Sequence, residues 1–202
     1  MKKMLLIIAA AMMVAASATA QENGYESKHE VGISYGFGSN SRILDAFEDV
    51  IAITTTAGTI KTDNDSWVGP ISVEYFYRPM EWLGVGGIVA YESMKQDVFL
   101  GGSTKDGEAK NTYLTVMPAV KLDWLRKAHF GMYSKFALGA TLRSEKVDLI
   151  TTGESSESEW RVNWQASLLG FEAGSPTVRG FAELGTGEQG IFLVGLRCKF
   201  GN

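Results

Sequence analysis

The stretch Asn111-Thr112-Tyr113-Leu114-Thr115-Val116-Met117-Pro118-Ala119-Val120-Lys121-Leu122-Asp123-Trp124 decides how this chain is read. Leu114, Val116, Val120 and Leu122 fall on one face of an extended segment, and Thr115, Lys121 and Asp123 on the other. Period-two alternation is the mark of a strand with one apolar and one polar face. Seven more runs of about ten residues repeat it. They cover 29–38, 68–78, 83–92, 130–142, 160–168, 178–185 and 190–200. The clearest are Val31, Ile33, Tyr35 and Phe37 against Glu30, Gly32, Ser34 and Gly36, and Ile71, Val73, Tyr75 and Tyr77 against Ser72, Glu74 and Arg78. In the last run Phe192, Val194, Leu196, Cys198 and Phe200 oppose Arg197 and Lys199. The run at 178–185 is blurred by glycine, with Ala182 and Leu184 opposing Arg179 and Glu183.

The connections carry as much information as the strands. Those at 78–82, 123–129 and 170–177 are short, those at 39–67, 93–110 and 143–159 are long, and the last, 186–189, is short. Tight turns alternating with long loops describe an outer-membrane barrel, and an even strand number returns both termini to one side. The expected fold is all-β, an eight-stranded antiparallel up-and-down transmembrane β-barrel. Periodicity alone does not separate this from a soluble barrel of the lipocalin type, whose apolar face points inward. Two features bear on the choice. Ionisable residues of both signs sit on the polar face of almost every run: Glu30, Glu74, Arg78, Glu92, Lys121, Lys135, Arg161, Arg179, Glu183 and Arg197. Such a row suits a solvated exterior as well as a lumen of paired charges. Aromatics, in contrast, gather at strand ends, at Tyr35, Phe37, Trp82, Tyr91, Trp124 and Trp160, as interfacial girdles do.

The first twenty residues read as an export signal. Lys2 and Lys3 precede an apolar stretch at 5–16, and Ala18-Thr19-Ala20 has the small-x-small cleavage pattern. The mature barrel domain is therefore expected at 21–202. Losing the signal removes two lysines and no carboxylate, so the formal net charge moves from -4 to -6. An acidic chain is a poor partner for nucleic acid. Cys198 is the one cysteine and permits no internal disulfide.

The terminal series Phe192, Val194, Leu196, Cys198, Phe200 resembles the C-terminal signal of outer-membrane barrels, which the barrel-assembly machinery reads; here Gly201 and Asn202 come after the aromatic. The tail from Phe181-Ala182-Glu183-Leu184-Gly185 to Lys199-Phe200 resembles the closing hairpin of small OmpA/OmpX-like barrels, as does Tyr77-Arg78-Pro79 with Trp82-Leu83-Gly84-Val85-Gly86. The resemblance implies fold, outer-membrane location, and contact with outer-membrane lipids and lipopolysaccharide. It implies no activity.

Small barrels that are enzymes place a base, usually His, at the extracellular rim. His29 and His129 precede the first and fifth runs, at the opposite rim. Asp63-Asn64-Asp65 lacks the glycine and distal glutamate of a calcium loop and reads as a solvated tip. Glu154, Glu157 and Glu159 read as a charged loop, with cation bridging to lipopolysaccharide phosphates as the alternative. Residues 42–52, with Ile43, Leu44, Phe47 and Ile51 at helical spacing, fit a short helix over the barrel mouth or a partly ordered loop. Gly36-Phe37-Gly38, Gly84-Val85-Gly86-Gly87 and Gly185-Thr186-Gly187 precede no helix and are not phosphate loops. No catalytic, cofactor or metal residue is expected. The leading function is a non-enzymatic barrel presenting loops 39–67, 93–110 and 143–159 to a surface ligand. An outer-membrane lipid-modifying enzyme and a soluble periplasmic ligand-binding barrel are the alternatives.

Overall fold

In the computed structural model of the chain, the described residues are 27–43, 60–100, 104–149 and 153–201, with backbone alone at 60–67, 98–100, 104–106, 149 and 153–154. The expected signal at 1–20 lies outside them. The alternating stretch sits inside β4 (Thr104–Arg126), between β3 (Leu83–Leu100) and β5 (Phe130–Leu149). Around them run β1 (His29–Phe37), β2 (Ile60–Met80), β6 (Gly153–Gly174), β7 (Val178–Gly187) and β8 (Phe192–Phe200). Each strand pairs antiparallel with its sequence neighbours, and β1 pairs with β8, which closes the ring. The eight expected strands are all present.

The faces divide as the alternation predicts. Val116 is 53% exposed on the outside and Leu196 57%, whereas Lys121, Lys135, Arg179 and Arg197 are 0% exposed inside. Apolar-out and charged-in is the inverse of a soluble barrel. Trp82, Trp124 and Phe130 are exposed at the end with tight turns, and Phe37, Tyr91, Trp160 and Phe192 at the other. Along β3, Trp82 to Tyr91 covers roughly 30 Å of strand, or about 22 Å of height at a 45° tilt. That matches an apolar band roughly 25 Å tall. Cys198 lies on the outer side of β8 but is only 7% exposed, opposite Val31 and Val178. It is on the face the alternation gives it, covered by its neighbours rather than open to lipid.

The largest departure from expectation is strand length. Residues 93–100, 104–110, 143–149 and 153–159, expected in loops, continue β3, β4, β5 and β6, and 60–67 belongs to β2. Beyond an apolar layer both faces of a strand meet water. Backbone pairing then holds the strand with no apolar alternation to reveal it. The strands are correspondingly unequal. The β5–β6 ladder runs from Phe130↔Ala173 to Leu149↔Gly153, while β7–β8 runs only from Val178↔Cys198 to Leu184↔Phe192.

A bulge in β6 also matters. Tyr133 faces Gly170 and Lys135 faces Ser167, so Leu168 and Leu169 stand opposite the single Ser134. The Ser134 hydroxyl donates to the Leu168 carbonyl at 2.7 Å, which satisfies the bulged backbone. The extra residue reverses the inward parity. Asn163, Gln165 and Ser167 point in before it, and Gly170 and Glu172 after it. Gly170 is required there: a Cβ would lie 2.5 Å from the fully buried Tyr133 ring.

Candidate functional site

Every strand except β3 sends an ionisable side chain into the lower lumen, and Glu172 joins those of β4, β7 and β8. Its Oε1 accepts from Arg179 Nη1 at 2.6 Å and from Lys199 Nζ, and its Oε2 from Arg197 Nη1 at 2.7 Å and Lys121 Nζ at 3.3 Å. Glu30 accepts from Arg78 Nη2 at 2.5 Å and Lys121 Nζ at 2.8 Å, and pairs with Lys199 at 3.0 Å. Arg78 also bonds Asp123. Glu74 takes Lys135 Nζ at 2.9 Å and Arg197 Nη2. Glu183 takes Lys135 Nζ at 2.9 Å and the Tyr133 hydroxyl at 2.7 Å. Arg197 also lies over the Phe181 ring, 4.4 Å from its centroid. Charges this deeply desolvated persist only when each is paired and hydrogen-bonded. Among the ions Phe76, Ile88, Met117, Ala119 and Ala137 form an apolar cluster, with Phe76 opposite Glu30 on β1 and Ile88 opposite Glu74 on β2. Side chains fill this lumen, as they do in narrow eight-stranded barrels.

The other opening is capped by the chain itself. Ser39 starts a short helical turn at 40–43, its hydroxyl accepting the Arg42 N–H at 3.3 Å. The same hydroxyl donates to Glu92 Oε2 at 2.5 Å, and Asn40 Nδ2 donates to Asn163 Oδ1 at 3.3 Å. The helix expected at 42–52 therefore begins earlier, at Asn40; residues 44–52 lie outside the described residues. From the β7–β8 connection Glu188 enters the opening. Its carboxylate accepts from the Ser41 N–H at 3.2 Å, the Ser41 hydroxyl at 2.7 Å, Asn163 Nδ2 at 2.7 Å and the Thr115 hydroxyl at 3.2 Å. Burial pushes the Glu188 carboxyl above its ordinary value, and the Ser41, Thr115 and Asn163 bonds offset part of that.

Glu188 thus ties the first segment after β1 to the last hairpin. Glu188→Ala is expected to release residues 39–43, speeding amide exchange at Ser41 by at least tenfold, about 1.4 kcal/mol. The barrel itself stays folded, so slow exchange in the β4–β5 ladder is retained. Unchanged Ser41 exchange would show that the cap holds without this carboxylate.

Above the closed ring, β2–β6 continue as an open sheet. The β1–β2 ladder stops at Tyr35↔Ile71 and the β6–β7 ladder at Gln165↔Gly187. Among the described residues, 60–70 of β2 and 153–163 of β6 therefore have no further strand beside them. Each edge is on the order of 35 Å long. Pro70 and Gly69 sit in a register shift between Val68 and Ile71, where β2 parts from β1. Proline suits such an edge because it has no N–H to offer a ladder.

The outer face of this sheet is ordered in rows by the register. Tyr91, Leu114, Leu142 and Trp160 are mutual partners at its base. Two positions further out come Ser93, Thr112, Ser144 and Ser158, then Lys95, Lys110, Lys146 and Ser156, then Asp97, Glu108, Asp148 and Glu154.

The inward charges fall where the alternation places them, with two qualifications. Arg161 points to the inner side beyond the closed ring, half-buried, where it pairs with Glu159 at 3.1 Å. Glu172, which the alternation does not single out, is a principal hub of the network. Asp63, Asn64 and Asp65 lie in the β2 strand rather than at a loop tip. Glu157 and Glu159 are exposed on the inner-facing parity of β6, and Glu154 is on the outer. His29 Nδ1 meets the Tyr75 hydroxyl at 2.8 Å and its ring stacks on Phe200; His129 Nδ1 meets the Gly174 carbonyl at 3.0 Å. Both sit at the tight-turn end, away from the open sheet.

No family model and no curated protein matches the chain. Among solved structures it is similar to Ail, the attachment invasion locus protein of Yersinia pestis, in complex with the heparin analogue sucrose octasulfate: 14% identity, TM-score 0.49, 86% of this chain and 97% of that one. It is also similar to a second structure of Ail, at 13% identity and TM-score 0.43, over 89% and 100% of the two chains.

Proposed function

We propose that this protein is a non-enzymatic integral outer-membrane barrel that anchors an extracellular sheet for contact with a surface ligand. The observation that carries the reading is the pairing of an apolar outer belt with a sealed, charged lumen, surmounted by the open sheet of β2–β6. The belt asks for lipid, and the side-chain-filled lumen leaves no room for general solute passage. Among the described residues the sheet has two long strand edges with no strand beside them, of the kind that accept an added strand. In this reading residues 1–20 are a cleaved export signal and the barrel domain is 21–202. The barrel-assembly machinery recognises the terminal strand through Phe192, Val194, Leu196, Cys198 and Phe200. Of the loops expected to carry the contact, 93–110 and 143–159 act as strand hairpins. A soluble ligand-binding barrel is disfavoured because exposed Val162, Leu168, Leu138 and Leu196 would lie in water.

The test is extraction and heat modifiability. The reading expects protein that leaves the envelope only with detergent and migrates differently boiled and unboiled. It also expects protease added to intact cells to cut within 144–158. Release by osmotic shock without a heat shift would replace the membrane reading with a soluble one.

A further inference from the structure

We infer that the cavity in the tight-turn mouth of the barrel, lined by Arg126, Lys28 and Glu81, is a binding site for a short peptide that carries a free carboxylate and an amine. The inference goes beyond the membrane reading above and rests on it for the compartment this mouth faces. Three segments meet there. The Lys28 N–H donates to the Gly201 carbonyl at 2.7 Å, and the Lys28 carbonyl accepts from the Arg78 N–H at 2.8 Å. Arg126 Nη2 donates to the Ser27 carbonyl at 2.8 Å. The entry to β1, the β2–β3 turn and the end of β4 thus border a cavity of about 690 Å³, with Pro79 and Met80 as its apolar wall. Pockets for small ligands span roughly 300–1,000 Å³. Arg126 is the register partner of Gly131, where a Cβ would lie 2.8 Å from a Glu172 carboxylate oxygen. Both positions therefore face the lumen and not the lipid.

Arg126 is the cation that the chain's own bonds leave unfinished. Among the described residues it forms no ion pair, its Nε is buried without a partner, and Nη2 is its one bonded nitrogen. Arg78 beside it is taken up by Glu30 and Asp123, which also face Lys121. Burial and the Arg78 charge hold the Arg126 guanidinium below its ordinary value, and Glu30 and Asp123 each pull on it less than Arg78 pushes. Lys28, exposed in the same cavity, has no ion pair among the described residues either. A planar carboxylate matches the guanidinium fork, and Lys28 adds a point charge beside it. Glu81 is the acid lining the cavity. Its carbonyl accepts from Arg78 Nη1 at 3.5 Å, whereas its exposed carboxylate pairs with neither Arg126 nor Lys28. Opposite charges held apart in one cavity match a ligand that bears both, and Pro79 and Met80 suit aliphatic side chains between its charged ends.

The experiment titrates the full mature chain, refolded into phosphatidylcholine nanodiscs, with the peptide acetyl-lysyl-alanyl-alanine and reads its Kd by calorimetry. A hydrogen bond to a charged partner is worth on the order of ten- to hundredfold in affinity. Arg126→Gln is therefore expected to weaken binding about tenfold or more, and the C-terminal amide of the peptide to bind the wild type as weakly. Glu81→Gln is expected to cost about threefold with this peptide, the worth of an exposed pair, and nothing with acetyl-glycyl-alanyl-alanine, which lacks the amine. Lys127→Gln, on the same rim but outside the cavity, is expected to leave the Kd unchanged. Inorganic phosphate is expected to bind more weakly than the peptide. Equal affinity for acid and amide, wild-type affinity in Arg126→Gln, equal loss in Lys127→Gln, or phosphate binding as tightly as the peptide would each overturn the peptide site. The heat shift is measured on every sample. A wild type that shifts but takes up no peptide overturns this inference alone, whereas one that never shifts overturns the membrane reading with it.

Discussion

Replacing Glu172 by alanine is expected to destabilise the barrel by about 3–5 kcal/mol, because a buried ion set loses a shared counter-charge and keeps its cations. Arg179, Lys199, Arg197 and Lys121 all converge on this carboxylate. Without it, Lys199 and Lys121 still reach Glu30, and Arg197 still reaches Glu74. Arg179 is left with the carbonyls of Ser175, Lys127 and Ala128 and no acid. The measurement is the urea midpoint in lipid vesicles, with the m-value held as a check on two-state behaviour. Glu159→Gln is the control. It breaks only the exposed pair with Arg161 and is expected to cost under about 1 kcal/mol. Similar costs for the two would mean that water enters the lumen and screens the network.

The second large effect is on the outer face. Val120 lies near the middle of β4's lipid-facing span, between Leu114 and Trp124, and is 40% exposed. Val120→Arg is expected to cost about 2–4 kcal/mol, the penalty for an arginine near the midplane. Val116→Arg is expected to cost less, since Val116 is nearer the Leu114 row. Thr115→Ser, on the inner face, keeps the hydroxyl that lies 2.7 Å from that of Thr141 and loses one methyl, about 1 kcal/mol. Folded fraction by heat shift and midpoint by urea both report the order. An arginine at Val120 no more costly than Thr115→Ser would turn the barrel inside out and restore a soluble reading.

The part of the fold legible in the sequence is the part that lipid dictates. Val116, Val120 and Leu122 alternate because each alternate residue of β4 meets an apolar medium, so strand number, order and facing could be read. The alternation fades where that demand ends. Lys95, Lys110 and Lys146 sit on strands as regular as those below them, yet nothing in their neighbourhood's hydropathy says so. Glu172 was lost for another reason. One extra residue at Leu168 reverses the parity of everything after it, and neither leucine announces a bulge. The tie between Ser41 and Glu188 joins residues far apart in the chain by single hydrogen bonds, which no local pattern encodes. Phe76, Ile88 and Met117 were missed as lumen residues because apolar side chains on the inner face erase the contrast that alternation relies on.

The unequal ladders give the ring a mechanical polarity. The β7–β8 ladder has seven register pairs and the β1–β8 seam nine, against nineteen between β5 and β6. A chain pulled from its C-terminus gives way first along β8, which is held by two short ladders. The remaining hairpins then leave in order, and the force record lengthens stepwise as the longer strands come out. Insertion run in reverse meets the same asymmetry: until the seam with β1 is complete, β8 is held by the seven pairs of the β7–β8 ladder alone.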